Sequence, residues 1–374
     1  MIQYPFFGLP PKSHQPIASI PKKLLKDQYE LLTTDLGQGT YGKVKLAINR
    51  TNNKKCAIKI ISKNYINQYN AKQHIDNEIN YLQCCKHKNI VEFIETFEDK
   101  DNVYIVLEYC QNGTLYEMIK KKKIFSEDEA FSYFYQIAQA IQYLHEKDIV
   151  HRDIKSDNVL LQNNTVKLCD FNWSIYLPNG GKAKPCICGT TEYMPPEVVK
   201  KQKHDKGVDV WALGILLHYM LHGELLFRAK NKEELHEKIC NKQLIKLNDN
   251  LSNECKQLLL QMLAHTKRFN IQQVLNSEWV IKMLTNKNIS HPLELTPIKN
   301  RSSAYELTRF SVISESTCIS SSKFTTKSHD IESPFKQSSN CIKQVPQPQQ
   351  PLKVKSSALD QKITAFRVEK RQID

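Results

Sequence analysis

Three glycines in the run LGQGTYGKV, residues 36–44, interrupt a stretch of strand-like sequence that starts at Tyr29 and continues through KVKLAIN. Glycines at positions 37, 39 and 42 let a backbone lie close over an anion with its N–H groups open to it. The same G-x-G-x-x-G spacing occurs in dinucleotide-binding loops, but there a helix follows. Here a strand follows, so the glycines belong to a hairpin and the chain opens with antiparallel, strand-rich structure.

The next run, KKCAIKIISK, is β-branched and carries Lys59, seventeen residues after Gly42. A buried lysine needs a partner. The segment AKQHIDNEINYLQCCKH has helical spacing at Ile75, Ile79 and Leu82, which makes Glu78 the candidate; an exposed surface ion pair is the plainer alternative. NVYIVLEYC reads as a buried strand. After Gly113 the pattern turns helical, and Ser126 with Glu129 predicts a capping box at the start of a helix whose apolar face runs through Phe134, Ile137, Ala138, Ile141 and Leu144.

The chemistry-bearing residues follow in IVHRDIKSDNVLL and KLCDFNWS. Asp153 and Asn158 stand five residues apart, with Lys155 between them and Asp170 twelve residues beyond Asn158. In phosphoryl transfer an Asp in this pattern orients the attacking hydroxyl and takes its proton, the Asn holds a metal ion, and a second Asp bridges that metal to the nucleotide. A lysine in the loop neutralises charge on the moving group.

In this order the motifs resemble the eukaryotic protein kinases over about residues 30–284. CGTTEYMPPE resembles the end of an activation segment with Glu197 as its closing acid; VDVWALG supplies Asp209 to brace the catalytic loop; and Arg268 matches the arginine that pairs with Glu197. HRDIKSDN with Gly189-Thr190 follows the serine/threonine pattern, and Thr190 is expected to contact Asp153. VYIVLEYCQNGTLYEMI, DFNWSI with Trp173, and Pro195-Pro196 are similar to the Aurora kinases, with Polo-like and calmodulin-kinase-like enzymes as near neighbours.

The resemblance implies an α+β, bilobal fold: a five-stranded antiparallel N-lobe sheet with one key helix over a mostly helical C-lobe, with Mg-ATP between them. The predicted organisation is an extension over 1–28, a kinase domain over 29–284 divided after 110, and a disordered tail over 285–374. It further implies nucleotide contacts from Leu36, Gly37, Gly39, Gly42, Val44, Ala57, Lys59, Leu107, Glu108, Cys110 and Leu160, with Tyr109 in the hinge, and magnesium ligation by Asn158 and Asp170. Catalysis falls to Asp153, Lys155 and Lys59 held by Glu78; the partners are proteins offering Ser or Thr hydroxyls, in cell division by the Aurora likeness. A pseudokinase scaffold is the alternative from another class.

Two departures stand out. Asn172 replaces the glycine that usually follows Asp-Phe; Asn tolerates left-handed backbone better than most residues, and the metal ligand is Asp170, so activity is expected. Cys186 stands where an Aurora kinase carries its activating threonine, whose phosphate would pair with Arg152. Constitutive order, an activating partner protein, or redox sensitivity through Cys186 and Cys188 are the readings this leaves. Asp157 sits at an acidic substrate-reading position, whereas Tyr219 occupies the second position where an acid would favour basic substrates.

Net charge of +14 over 374 residues permits acidic partners without demanding nucleic acid, and neither nucleic-acid nor membrane binding is predicted. The run VWALGILLHYML is too short to span a bilayer, and the start lacks a signal-peptide pattern and a myristoylation glycine. Eleven scattered cysteines form no C-x-x-C pair and no metal-ligand spacing, which fits reduced thiols in the cytoplasm or nucleus. Residues 285–374 carry fourteen Lys/Arg against eight Asp/Glu, with serines crowded into 301–340 and QVPQPQQP after them, a composition that cannot bury a core. Thr296-Pro297 and Ser333-Pro334 are candidate phosphosites there.

Overall fold

The computed structural model describes residues 25–39, 42–241, 245 and 247–287. The proline-broken leader before residue 25 and the tail beyond 287, with both Ser/Thr-Pro dipeptides, lie outside the described residues.

Five strands form the first lobe: β1 Tyr29–Gly39, β2 Gly42–Asn49, β3 Lys55–Ser62, β4 Phe93–Glu98 and β5 Asn102–Glu108. They form the predicted five-stranded antiparallel sheet, in the order β1-β2-β3-β5-β4. The glycine run joins β1 to β2 as a hairpin, with Gly39 opposite Gly42. Gly42 has no room for a side chain, since a Cβ there would sit 1.9 Å from the carbonyl oxygen of Ile60 on β3. One sheet face is sealed by Tyr29, Ala47, Cys56, Ile58, Phe97, Tyr104 and Val106. The other turns towards the helical lobe, and Ile61 and Ile105 from it join the main core.

The first helices are α1 Leu25–Gln28, α2 Lys63–Gln68 and α3 Lys72–Cys84. Helix α3 buries Ile75, Glu78, Tyr81 and Leu82, so its apolar stripe carries one carboxylate inward. The second lobe holds α4 Leu115–Lys122, α5 Glu127–Glu146, α6 Pro196–Val199, α7 Gly207–His222, α8 Lys232–Cys240, α9 Asn253–Met262, α10 Ile271–Leu275 and α11 Glu278–Asn286. Between α5 and α6 lie short strands β6 Ile149–Val150, β7 Val159–Gln162, β8 Thr165–Leu168 and β9 Ile175–Tyr176. β7 pairs with β8 and β6 with β9, which displays the loops 151–158 and 169–174 side by side.

The predicted capping box starts α5: Ser126 Oγ accepts from Glu129 N–H and Glu129 accepts from Ser126 N–H. Phe134, Ile137, Ala138, Ile141 and Leu144 are fully buried along its inner face. Helix α7 is buried on nearly every side, as its uniformly apolar sequence requires. No described helix is long and apolar enough to cross a membrane. One acid ties the far end together. Glu127, at the start of α5, accepts from Ser252 N–H at 2.5 Å, Ser252 Oγ at 2.8 Å and Trp279 Nε1 at 2.7 Å.

Trp279 also meets the rings of Phe131 and Phe134 edge-on, each at 5.4 Å between centroids. Trp279→Ala should therefore cost about 3–5 kcal/mol of stability and lower the melting midpoint by on the order of 10 °C, measurable by calorimetry.

Candidate active site

Strand alternation sets the first part of the site. On β3, Ala57, Lys59 and Ile61 share one face while Cys56 and Ile58 take the other. Lys59 lies opposite Val44 on β2 and Ile105 on β5, and is only 6% exposed. Its Nζ is 2.6 Å from Glu78 Oε1 and 3.8 Å from Asp170 Oδ1. Burial works against its charge, but the attraction of Glu78 and then Asp170 prevails and holds its pKa above the ordinary lysine value. A lysine so paired donates hydrogen bonds at any physiological pH. The plainer alternative of an exposed ion pair is excluded, because both partners are buried.

The second part is the loop after β6. Asp209, fully buried near the start of α7, accepts from the backbone N–H of His151 at 2.9 Å and of Arg152 at 2.8 Å. The His145 ring donates to it at 2.9 Å. Burial alone would raise the Asp209 pKa; His145 and these amides bring it below the ordinary carboxylate value. This grip holds Arg152 in a left-handed conformation, φ 65°, and presents Asp153 to the cleft. Around Asp153, Asn158 donates its amide to the Asp153 backbone oxygen and Oδ2, both at 2.9 Å. Lys155 Nζ is 3.0 Å from Asp153 Oδ2 and donates to Thr190 Oγ1 at 2.8 Å. Thr190 donates to Asp153 Oδ1 through both N–H and hydroxyl at 3.0 Å, as expected.

The third part is the segment after β8. The Cys169 N–H donates to the Asn158 backbone carbonyl at 2.9 Å, which locks this segment to the catalytic loop. Asp170 Oδ1 is buried with no hydrogen-bond partner. Asn158 spends its amide nitrogen on Asp153, which leaves its side-chain carbonyl oxygen for another ligand. A carboxylate oxygen that accepts no hydrogen bond and a free amide oxygen, on segments joined by the Cys169–Asn158 backbone bond, form a donor set suited to magnesium.

The nucleotide-side expectations fall as follows. Val44, Ala57, Leu107, Cys110 and Leu160 are all half-buried, whereas the alternate residues Ile58 and Val106 are fully buried in the outer cluster. Leu36 and Gly37 are exposed at the hairpin. Glu108 narrows the expectation that the hinge offers its backbone: its N–H already donates to Glu92 at 3.0 Å, and its carboxylate pairs with Lys167 at 2.7 Å. Burial, with the Glu108 charge, pushes the Cys110 thiol up to about 12.

With this geometry in place the comparisons become informative. The family model for the protein kinase domain matches residues 31–280. The chain belongs to the protein kinase family. It is 35% identical over 250 residues to an Aurora kinase of Eremothecium gossypii, covering 66% of this chain and 68% of that one. It is 34% identical over 264 residues to an Aurora kinase of Saccharomyces cerevisiae, covering 70% and 71%. Over 251 residues it is also 34% identical to the serine/threonine-protein kinase Aurora-2 of Arabidopsis thaliana, covering 66% and 88%. This kinase is a serine/threonine protein kinase of Aurora-like sequence.

Two observations go beyond the sequence reading. Asn172 does not supply left-handed backbone; that conformation falls on Asp170, φ 67°. Asn172 instead turns inward, 2% exposed, with neither amide atom hydrogen-bonded. The His74 ring of α3 bonds to its backbone and meets Trp173 edge-on at 5.7 Å. The cysteines have no ligand spacing along the chain, but the fold adds a grouping that sequence does not show. Cys186 and Cys188 gather with His204, which follows sixteen residues after Cys188 and is joined to them only by the fold. Arg152 donates to Cys186 Sγ at 3.2 Å, and the two sulfurs are 3.0 Å apart. The hydrogen bond with Cys188 draws the Cys186 thiol down to about 4 against burial, with His204 and Arg152 assisting, while Cys188 is pushed up. Gly189 cannot bear a side chain in this segment: its φ is 85° and a Cβ would lie 2.5 Å from the Arg152 carbonyl oxygen.

Sequence reasoning also passed over His145, whose only signal is a position in the last turn of α5. It did anticipate the bidentate pair between Arg268 and Glu197, found at 2.6 and 3.1 Å, with the guanidinium 4.9 Å over Trp211. Lysine cannot reproduce the fork or the stacking. Arg268→Lys should destabilise the kinase by about 1.5–3 kcal/mol, seen as a lower midpoint in urea unfolding.

Proposed function

We propose that this kinase transfers the γ-phosphate of Mg-ATP to Ser or Thr hydroxyls of protein substrates through the residues gathered at the cleft. Asp153 accepts the proton of the attacking hydroxyl. Lys155 sits beside the transferred group and stabilises its charge, while Lys59, held by Glu78, donates to the nucleotide phosphates. Gly37, Gly39 and Gly42 cover those phosphates with backbone N–H groups. Leu36, Val44, Ala57, Leu107 and Leu160 enclose the base, and Cys110 and the hinge backbone orient it. Asn158 and Asp170 would hold magnesium, which when bound would supply positive charge to the phosphates. The observation that carries this reading is the convergence on Asp153 of Lys155, Asn158 and Thr190, all within 3.0 Å.

We place the kinase domain at 29–284, with 1–28 as an extension and 285–374 as a tail that carries the proline-directed sites. Likeness to the Aurora kinases supports a role in cell division, in the cytoplasm or nucleus at the cytoskeleton. Cys186 in place of a phosphorylatable threonine supports activation without phosphate at that position, by an ordered segment or a partner protein. Exposed Asp157 beside Tyr219 supports a substrate preference only weakly basic.

The test is phosphate transfer from radiolabelled ATP, with mass-spectrometric mapping of the sites. Asp153→Ala should lower transfer by about 10²–10⁴-fold; retention of the parent rate would refute the assignment of Asp153. Asn172→Gly should change the rate by less than about tenfold, or 1.4 kcal/mol of barrier. An inert parent protein beside an active Gly variant would defeat the view that Asn172 is tolerated.

A further inference from the structure

Phosphoryl transfer makes no use of the cluster formed by Cys186, Cys188 and His204. The ligand atoms of these three residues lie within 4.8 Å of one another. Cys188 and His204 are buried and Cys186 is half-buried. His204 is 2% exposed, and neither of its ring nitrogens has a hydrogen-bond partner. Its near polar neighbour is the Cys186 thiol, with which the ring interacts without a hydrogen bond of normal geometry, so the ring nitrogens keep capacity for a further partner. His204 and Cys188 also line a cavity of about 20 Å³, together with Arg152, Asp153, Thr190 and Tyr193. That volume suffices for a single ion or water. The plain reading, two small apolar thiols beside a core histidine, accounts for neither the unpaired nitrogens nor the space.

Two sulfurs and an imidazole nitrogen form a soft to borderline donor set, which takes zinc in preference to magnesium or calcium. Tetrahedral zinc with Zn–S bonds near 2.3 Å spaces two sulfurs about 3.8 Å apart. The sulfurs here are 3.0 Å apart, so they must part by under an ångström, and Cys186 is only half-buried. The guanidinium of Arg152, 3.2 Å from Cys186 Sγ, opposes a cation. The second thiolate offsets it: on binding, Cys188 loses its proton to solvent, and two thiolates balance the two charges of the ion.

We propose that Cys186, Cys188 and His204 form a zinc site that clasps the activation segment to the loop before α7. The backbone already joins these two segments, with Ala183 N–H donating to the His204 carbonyl at 2.7 Å. The metal adds a side-chain clasp directly before Gly189 and Thr190, the residues that touch Arg152 and Asp153. The fourth coordination position is left to water.

The full-length kinase, purified under reductant and stripped with a chelator, would be titrated with zinc against a chromophoric competitor and separately with cobalt. One equivalent should bind, with the visible bands of tetrahedral cobalt and a thiolate charge-transfer band. Cys186→Ser and His204→Asn should each weaken zinc by more than about tenfold, while Cys84→Ser, at an exposed cysteine, should leave it unchanged. Alkylation read by mass spectrometry needs no variant: zinc should protect Cys186 and Cys188 and not Cys84. Absence of a thiolate band, equal weakening by Cys84→Ser, or a parent protein isolated with a Cys186–Cys188 disulfide, two hydrogens lighter, would overturn the proposal.

Discussion

The buried carboxylate of Asp209 gives one oxygen to the backbone of Arg152 and the other to the backbone of His151 and the ring of His145. A charge taken fully out of water is costly unless every lone pair finds a donor. Here the donors are the backbone amides that shape the catalytic loop, so the electrostatic requirement of one residue dictates the path of another segment. Arg152 can hold its left-handed conformation because it is gripped in this way, and Asp153 follows it into the cleft. Gly189 completes the arrangement from the other side, since only glycine allows the activation segment to press against the Arg152 carbonyl.

A second buried charge system spans the lobes. Lys59 from β3 meets Glu78 from α3 and Asp170 after β8, and the short contact is the Lys59–Glu78 pair. The longer contact, 3.8 Å, pairs the charges without giving Asp170 Oδ1 a hydrogen bond. Structural ion pairs generally satisfy their atoms. A buried carboxylate oxygen that accepts no hydrogen bond keeps capacity for a further partner.

Activation-segment chemistry differs in kind. Where the Aurora resemblance puts a phosphorylatable threonine, Arg152 meets sulfur. The sulfur brings with it a second thiol and a histidine from a distant loop, so a soft donor set replaces a phosphate-bearing position while the contact with Arg152 is kept.

Much of this was legible along the chain because the relevant residues are close in sequence or tied to local periodicity. The hairpin around Gly37–Gly42, the capping box at Ser126 and Glu129, and the grouping of Asp153, Lys155 and Asn158 are of that kind. Alternation on β3 and the apolar stripe on α3 also pointed to the Lys59–Glu78 pair, since both charges sit at positions that face inward. Three features depended on residues brought together from far apart. His145 reaches Asp209 across 64 positions, and His204 meets Cys186 and Cys188 only because the activation segment folds back on the loop before α7. Left-handed backbone fell on Asp170 and not on Asn172, since the strain of a loop is distributed by the contacts around it and not by local preference alone. By itself the sequence determined the main elements, the family and which candidate groups stand close along the chain, because these rest on short-range spacing. Tertiary structure alone decided which buried oxygens accept no hydrogen bond, which backbone is strained and which thiols share a histidine, because burial and long-range contact are properties of the packed chain.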